Sequence, residues 1–433
     1  MTPTGAELHS HVAELYPLCR SITGEGLRAT LRNIAGRIPL HLSEVPTGRR
    51  VLDWEVPPEW NVRTAFVATP DGRRVIDFAD HNLHLVQYSM PVDRIVPRAE
   101  LEAHLHSLPD QPTLIPYRTS YYTPSWGFCL AHRNRMALKE DAYHVRIDST
   151  LAPGSLTYGE CVVPGESVQE VLFSAHCCHP SLANDNLAAI AVAVALAQQL
   201  AARPRRRFTY RFLFAPGTIG AICWLAANRA AAARIRHGLV LTCLGDPAPP
   251  TYKKSRRGTA PIDRYAAHVL GGGGRIREFS PTGYDERQFG SPGFDLPVGC
   301  LMRSPGGTFA EYHTSADNPD FVRPEALADS LGVLTDIVDL IEHDEHWRNT
   351  APYGEPQLGR RGLYDSGQDR MALLWVLNLA DGRHSLLDIA ERSGRTFAAV
   401  AAAAAALAEA GLLVRASASD EGRSPSPPPS PAE

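Results

Sequence analysis

The chain has 433 residues, too many for one simple core, and its 44% hydrophobic and 21% charged content excludes a disordered or fibrous protein. A formal net charge of −4 leaves no global attraction to nucleic acid or to an anionic membrane surface. Eight scattered cysteines without a CxxC repeat argue against a disulfide framework or a structural zinc finger. No apolar run of membrane-spanning length stands out, and the N-terminus lacks the basic and apolar regions of a signal peptide, so a cytoplasmic location and no membrane partner are expected.

Taken in order, residues 6–35 carry Leu8, Val12, Leu15, Leu18, Ile22, Leu27, Leu31 and Ile34 at helical spacing, interrupted at Gly24-Glu25-Gly26. From 53 to 130 the chain becomes dense in Trp, Tyr, His and Pro. Alternating runs at 64–68 and 74–78 and a helical stretch at 100–108 predict a small α+β domain inserted in a larger fold. Its aromatics, Trp54, Tyr117, Tyr121 and Tyr122 among them, either line a substrate cleft or form the insert's own core. Its four histidines, His81, His84, His104 and His106, are not enough for a metal site of their own.

Strand patterns then recur at 143–147, 156–163, 170–174, 208–214 and 238–244, with helical patterns at 187–200 and 221–235. Buried strands alternating with helices predict a three-layer αβα sandwich with a mostly parallel sheet. The stretch 171–186 organises it. An apolar strand delivers His176 and His179 into a loop, and Ala183-Asn184-Asp185-Asn186 opens the next helix. Two imidazoles and a carboxylate at a strand's carboxyl end suit zinc or a similar divalent metal, which a carboxylate can bridge. The competing reading makes Asn184 or Asp185 a helix cap and the histidines ordinary loop residues. Cys177 and Cys178, between the histidines, are read chiefly as buried thiols.

Asp246 follows a further strand, as a ligand or as a turn former before Pro247. Asp285 and Glu286 beside Arg287 offer a ligand, a general base or a surface ion pair. In Glu311-Tyr312-His313-Thr314-Ser315-Ala316-Asp317, His313 is a natural ligand that Glu311 and Asp317 can orient. A helix over 324–346 closes this part. Helical patterns at 371–379, 385–392 and 396–410 and the apolar end 411–414 read as a winged helix-turn-helix. Its third helix is nearly all alanine, so DNA binding is not expected and a protein contact, such as a homo-oligomer, is favoured. A Ser- and Pro-rich tail reads as disordered.

The order of these pieces resembles the co-catalytic zinc aminopeptidases and glutamate-carboxypeptidase-like exopeptidases. More closely, it resembles a bacterial aminopeptidase-like family that joins this core to an inserted domain and a C-terminal winged helix. The pieces that carry the likeness are Ala175-His176, Ala183-Asn184-Asp185-Asn186, the run from Gly283 to Phe289 and the run from Glu311 to Asn318. It implies a core over 1–52 and 131–350, an insert over 53–130, a winged helix over 355–415 and a tail over 416–433. By motif, His176 would bind one metal with Asp246 beside it, Asp185 would bridge, and His313 would bind the other. His179 stands where these enzymes carry an aspartate. Gly217-Thr218 stands where they carry two glutamates, a general base and a ligand, and neither residue can do that work. Glu286 as first choice, Asp285 or Glu311 would then act as base. The expectation is a zinc hydrolase, with one or two ions and with iron or another divalent metal as alternatives, that cuts an amide in a small peptide or aminoacyl-like molecule. The alternative is a degenerate peptidase fold that binds or scaffolds.

Overall fold

The stretch Glu170–His176 is buried at all seven positions, which is why it is a near-continuous apolar run rather than an alternation. In the computed structural model, which describes residues 3–364, 367 and 369–416, this strand lies in the middle of an eight-stranded sheet. In chain order the strands are β1 (His41–Pro46), β2 (Ser155–Val163), β3 (Glu170–His176), β4 (Thr209–Ala215), β5 (Ile235–Leu241), β6 (Thr251–Lys253), β7 (Arg275–Arg277) and β8 (Val298–Met302). Their spatial order is β1-β2-β4-β3-β5-β8-β6-β7. The central strands β4, β3, β5 and β8 run parallel, and β1, β2 and β6 pair antiparallel.

Helices cover the sheet. The helix Ala189–Ala202 is buried at ten of its fourteen positions, and its alanines let it lie close against the strands and the first helix, Gly5–Leu15. The segment Ala183–Ala202 is by length and composition apolar enough to cross a membrane, a run the sequence reading did not single out, yet it is mostly buried inside the protein. The N-terminal helical stretch is two helices, Gly5–Leu15 and Glu25–Ala35. Gly24 at φ 92° stands before the second, with the Trp60 carbonyl packed where a Cβ would be. The expected helix over 221–235 is Ile219–Ala227 followed by the short turn Arg229–Ala232.

The inserted segment forms a four-stranded antiparallel sheet in the order Arg74–Asp77, Glu59–Ala68, Ala142–Ala152, Val92–Pro97. It therefore draws on residues beyond 130. One hydrophobic cluster runs from this sheet (Ala65, Val67, Tyr143, Val145) through the main sheet (Leu172, Leu213, Val240, Val298) to Ile222 and Trp224 of the helix Ile219–Ala227. Insert and sandwich thus share a core. At the start of β3, Glu170 accepts hydrogen bonds from Arg211 and Arg234 and is buried with the former, which pins the strand at the end opposite the candidate site. All eight cysteines are free thiols.

The chain divides into two compact units, one to Thr335 and one from Asp336. The second is a winged helix-turn-helix. Helices Arg370–Leu379, Leu386–Ser393 and Phe397–Glu409 share a core around Leu373, Val376, Ile389, Val400 and Leu407. Three antiparallel strands, in the order Asp381–Ser385, His346–Asn349, Leu413–Arg415, complete it. Asp381-Gly382 opens the first of these strands: Asp381 accepts from the Arg383 and His384 amides, and the segment then pairs with His346–Asn349. From residue 417 the expected tail lies outside the described residues.

Candidate metal centre

At the carboxyl end of β3 the register sets His176 beside Ala215 of β4 and Ala175 beside Leu241 of β5, so the loops after all three strands meet. Asn186 fastens that meeting point. Its Nδ2 donates to the carbonyls of His176 (3.2 Å) and Leu241 (3.1 Å), and its Oδ1 accepts from the Cys243 amide at 3.2 Å. Asp317 grips the same turn from the other side, accepting from the amides of Asn184 (2.6 Å) and Asp185 (3.0 Å). The Asp185–Asn186 peptide is cis. Neither Asn184 nor Asp185 caps the following helix, whose first-turn cap position is Ala188. The Asp185 carboxylate is turned instead toward imidazoles.

Asp185 is fully buried; its Oδ1 lies 2.8 Å from His176 Nε2 and its Oδ2 lies 3.1 Å from His313 Nε2. The His179 ring is 4.9 Å from that of His176 and 5.4 Å from that of His313. One ligand atom from each of His176, His179 and Asp185 falls within 4.8 Å of the others. Burial raises the Asp185 carboxyl, but His179, His176 and His313 override it and leave its pKa well below the usual range. Burial pushes His179 down to about 3, so its ring is neutral and keeps a lone pair to donate. Two imidazoles and an ionised, water-excluded carboxylate are a donor set that fits a divalent first-row metal.

Tyrosines hold these rings. His176 stacks on Tyr284 at 5.2 Å and His313 on Tyr312 at 3.9 Å, and the Tyr117 ring lies 5.1 Å from both His179 and His313. Ser181, Thr218, Cys243 and His313, all non-glycine, have positive φ here, backbone strain of the sort that gathers at functional sites. The site opens into a cavity of about 780 Å³ walled by Trp54, Tyr121 and Tyr122 of the insert and by Asp285 and Arg287.

The remaining sequence candidates stand apart from this cluster in different ways. Asp246 is buried, and its oxygens accept from Asn184 Nδ2 (3.0 Å), the Ala248 amide (3.0 Å), the Ser304 amide (3.1 Å) and Ser304 Oγ (2.8 Å). It braces the turn that carries Asp185. Glu286 is buried in an ion pair with Lys253, whose ammonium also donates to the carbonyls of Ser280 and Thr282. Glu311 is half-buried, with its carbonyl closing the turn to Thr314, and it does not line the cavity. Asp285 does: its Oδ1 accepts from the Thr218 amide at 2.7 Å, and burial lifts its carboxyl to about 6.

A Cβ at Gly217 would lie 3.8 Å from that of His176, so the Gly217-Thr218 position faces the histidine cluster. Asp285 reaches that position from another loop. No role was expected for Asn186, Tyr284 or Tyr312, and the surface ion pair expected of Arg287 with Asp285 or Glu286 does not form, since Lys253 takes Glu286 and the Thr218 amide takes Asp285 Oδ1. The signal for the two tyrosines was their place immediately before Asp285 and His313.

Comparison with known proteins supplies the context. Residues 9–344 match the family described as "Domain of unknown function (DUF4910)", and residues 345–415 match a winged helix-turn-helix family. A Clostridium acetobutylicum protein named for polysaccharide biosynthesis and an aminopeptidase-like domain is 45% identical over 407 residues, covering 92% of this chain and 93% of its own length. The crystal structure of a candidate peptidase from Clostridium acetobutylicum superposes with a TM-score of 0.91 at 44% identity, covering 95% of this chain and 96% of that one. A zinc aminopeptidase from Bacillus subtilis shares the fold at a TM-score of 0.57 and 12% identity, over 79% of this chain and 95% of its own.

Proposed function

The chain belongs to the DUF4910 family, here joined to a winged helix-turn-helix, and from that premise we propose that it is a metal-dependent hydrolase of the aminopeptidase type. The reaction is cleavage of an amide bond in a short peptide or aminoacyl-like small molecule. One observation carries the reading: a fully buried carboxylate, Asp185, faces two histidines on its two oxygens and a third beside them, at the wall of a cavity.

His176, His179 and Asp185 would hold the metal, and His313 on the other oxygen of Asp185 would serve a second. Zinc, iron or another divalent ion there supplies Lewis acidity toward a carbonyl and makes water acidic enough to react near neutral pH. The protein's own groups do the rest. Asp285 spends Oδ1 on the Thr218 amide and keeps Oδ2 free, and its raised pKa suits a group that takes a proton from water and passes it to the departing amine. We assign that proton to Asp285 rather than Glu286, because the Lys253 ammonium holds the Glu286 carboxylate. The tyrosine and Trp54 walls give a ligand apolar surface to lie against, and the size of the cavity suits a small molecule. The relative named for polysaccharide biosynthesis supports including amides carried on sugars among the substrates.

A binding or scaffolding role is the second reading, favoured by Gly217-Thr218 in place of the two glutamates. Metal analysis of protein purified without chelator, followed by an aminoacyl-amide hydrolysis screen with His313→Ala as control, separates the two. Stoichiometric metal and hydrolysis that His313→Ala abolishes support the enzyme. No metal after supplementation, or turnover indifferent to His313, rejects it.

A further inference from the structure

One charged group on the cavity wall has no task in that reading. Arg287 lies on the short helix Glu286–Phe289, lines the cavity beside Asp285, and is only partly exposed. Its Nε is shut off from water and has no hydrogen-bond partner. Of the two acids beside it in the chain, Glu286 pairs with Lys253, and Asp285 accepts from the Thr218 amide at Oδ1 and feels the Arg287 charge only as the weakest of its influences. Among the described residues Arg287 forms no ion pair, and among the residues lining the cavity it is the only Arg or Lys.

We infer that Arg287 reads a carboxylate on the ligand, so that the compounds this site accepts carry a free acid as well as an amide. This rests on the reading of the cavity as the substrate site. Nε is closed to a ligand atom as it is to water, so the fork that meets the cavity is the end-on pair of terminal Nη nitrogens, which is planar and also matches the two oxygens of a carboxylate. A single cation balances a single negative charge. A phosphate dianion would keep an excess charge next to Asp285 with no second Arg or Lys on the wall to meet it. The carboxylate can belong to a peptide C-terminus or to an acidic sugar, and the guanidinium chemistry is the same for both.

Calorimetric titration of the full-length protein tests this without relying on turnover. The probes are leucylglycine and leucylglycinamide, phenylalanylalanine and its amide, and N-acetylneuraminic acid and its methyl ester. In at least one pair the acid should bind roughly tenfold or more tightly than its neutral partner, Arg287→Gln should bring that ratio to about one, and Arg287→Lys should keep part of it. The responding pair identifies peptide or sugar acid as the source. A ratio near one for every pair, or a ratio that survives Arg287→Gln, overturns the proposal. Should Arg287→Gln fail to fold, the wild-type ratios and Arg287→Lys decide alone. Hydrolysis of the same pairs by metal-loaded protein separates the two ideas: hydrolysis without acid preference sinks this inference only, and acid preference without hydrolysis supports it while rejecting the hydrolase.

Discussion

Two loops leave neighbouring strands of the same sheet, and each carries a buried aspartate just past a strand end. In the loop after β3, Asp185 meets only imidazole nitrogens, while its backbone is held from behind by Asp317. In the loop after β5, Asp246 is met by two amides, a hydroxyl and a carboxamide, so its lone pairs are filled. Asn184 joins them: its Nδ2 donates to Asp246 and its Oδ1 accepts from the Gly245 amide. A carboxylate at a strand end is left open to a metal or locked in as a brace according to the donors that surround it.

Several substitutions press on this contrast. The largest effect is expected from Asp185→Asn, which removes the charge shared by the histidines: the protein should lose stoichiometric metal by elemental analysis, and hydrolysis should fall to background. Retention of metal would place the ligand elsewhere. Next is Asp285→Asn, which should keep the metal and lower kcat by roughly 10²–10⁴-fold. A smaller loss than with Glu286→Gln, once folding is controlled, would return the proton to Glu286. Glu286→Gln itself strands the buried Lys253 ammonium and should cost about 3–5 kcal/mol in denaturant unfolding. Asp246→Asn turns a pure acceptor into a partial donor against the Ser304 amide, with an expected loss of about 2 kcal/mol and metal content unchanged. If the metal goes with it, the distinction between brace and ligand fails.

Outside both loops lies a pH background. Burial is the main reason His11, His81 and His237, none of them in either loop, have pKa values lowered to about 4. The unfolded chain takes up these protons near pH 6.5 and the folded one only near 4. The stability they lend is therefore complete above about 6.5 and drains away as pH falls toward 4. Thermal melts of the metal-free protein should show Tm declining across that window. A flat profile would mean that these rings are hydrated.

Much of this was legible in one dimension. The apolar run of β3, the alanine helix behind it and the alternation of strand and helix are local patterns, and His176, His179 and Asp185 lie within ten residues of one another. His313 was legible by motif. The boundaries that moved, at Gly24 and in the split of Ile219–Ala227 from Arg229–Ala232, are places where one residue's backbone angles decide.

Sequence alone determined which side chains could bind a metal and that some of them would reach the end of one strand, because strand period and loop length set that over a few residues. Only the tertiary structure decided which acids are free to act. The donors that occupy Asp246 and Asp285 include atoms 62 and 67 residues away along the chain, and the ammonium that claims Glu286 comes from a separate strand. Hydrogen-bond saturation of a buried carboxylate depends on what folding brings within about 3 Å of it, and no spacing along the chain encodes that distance.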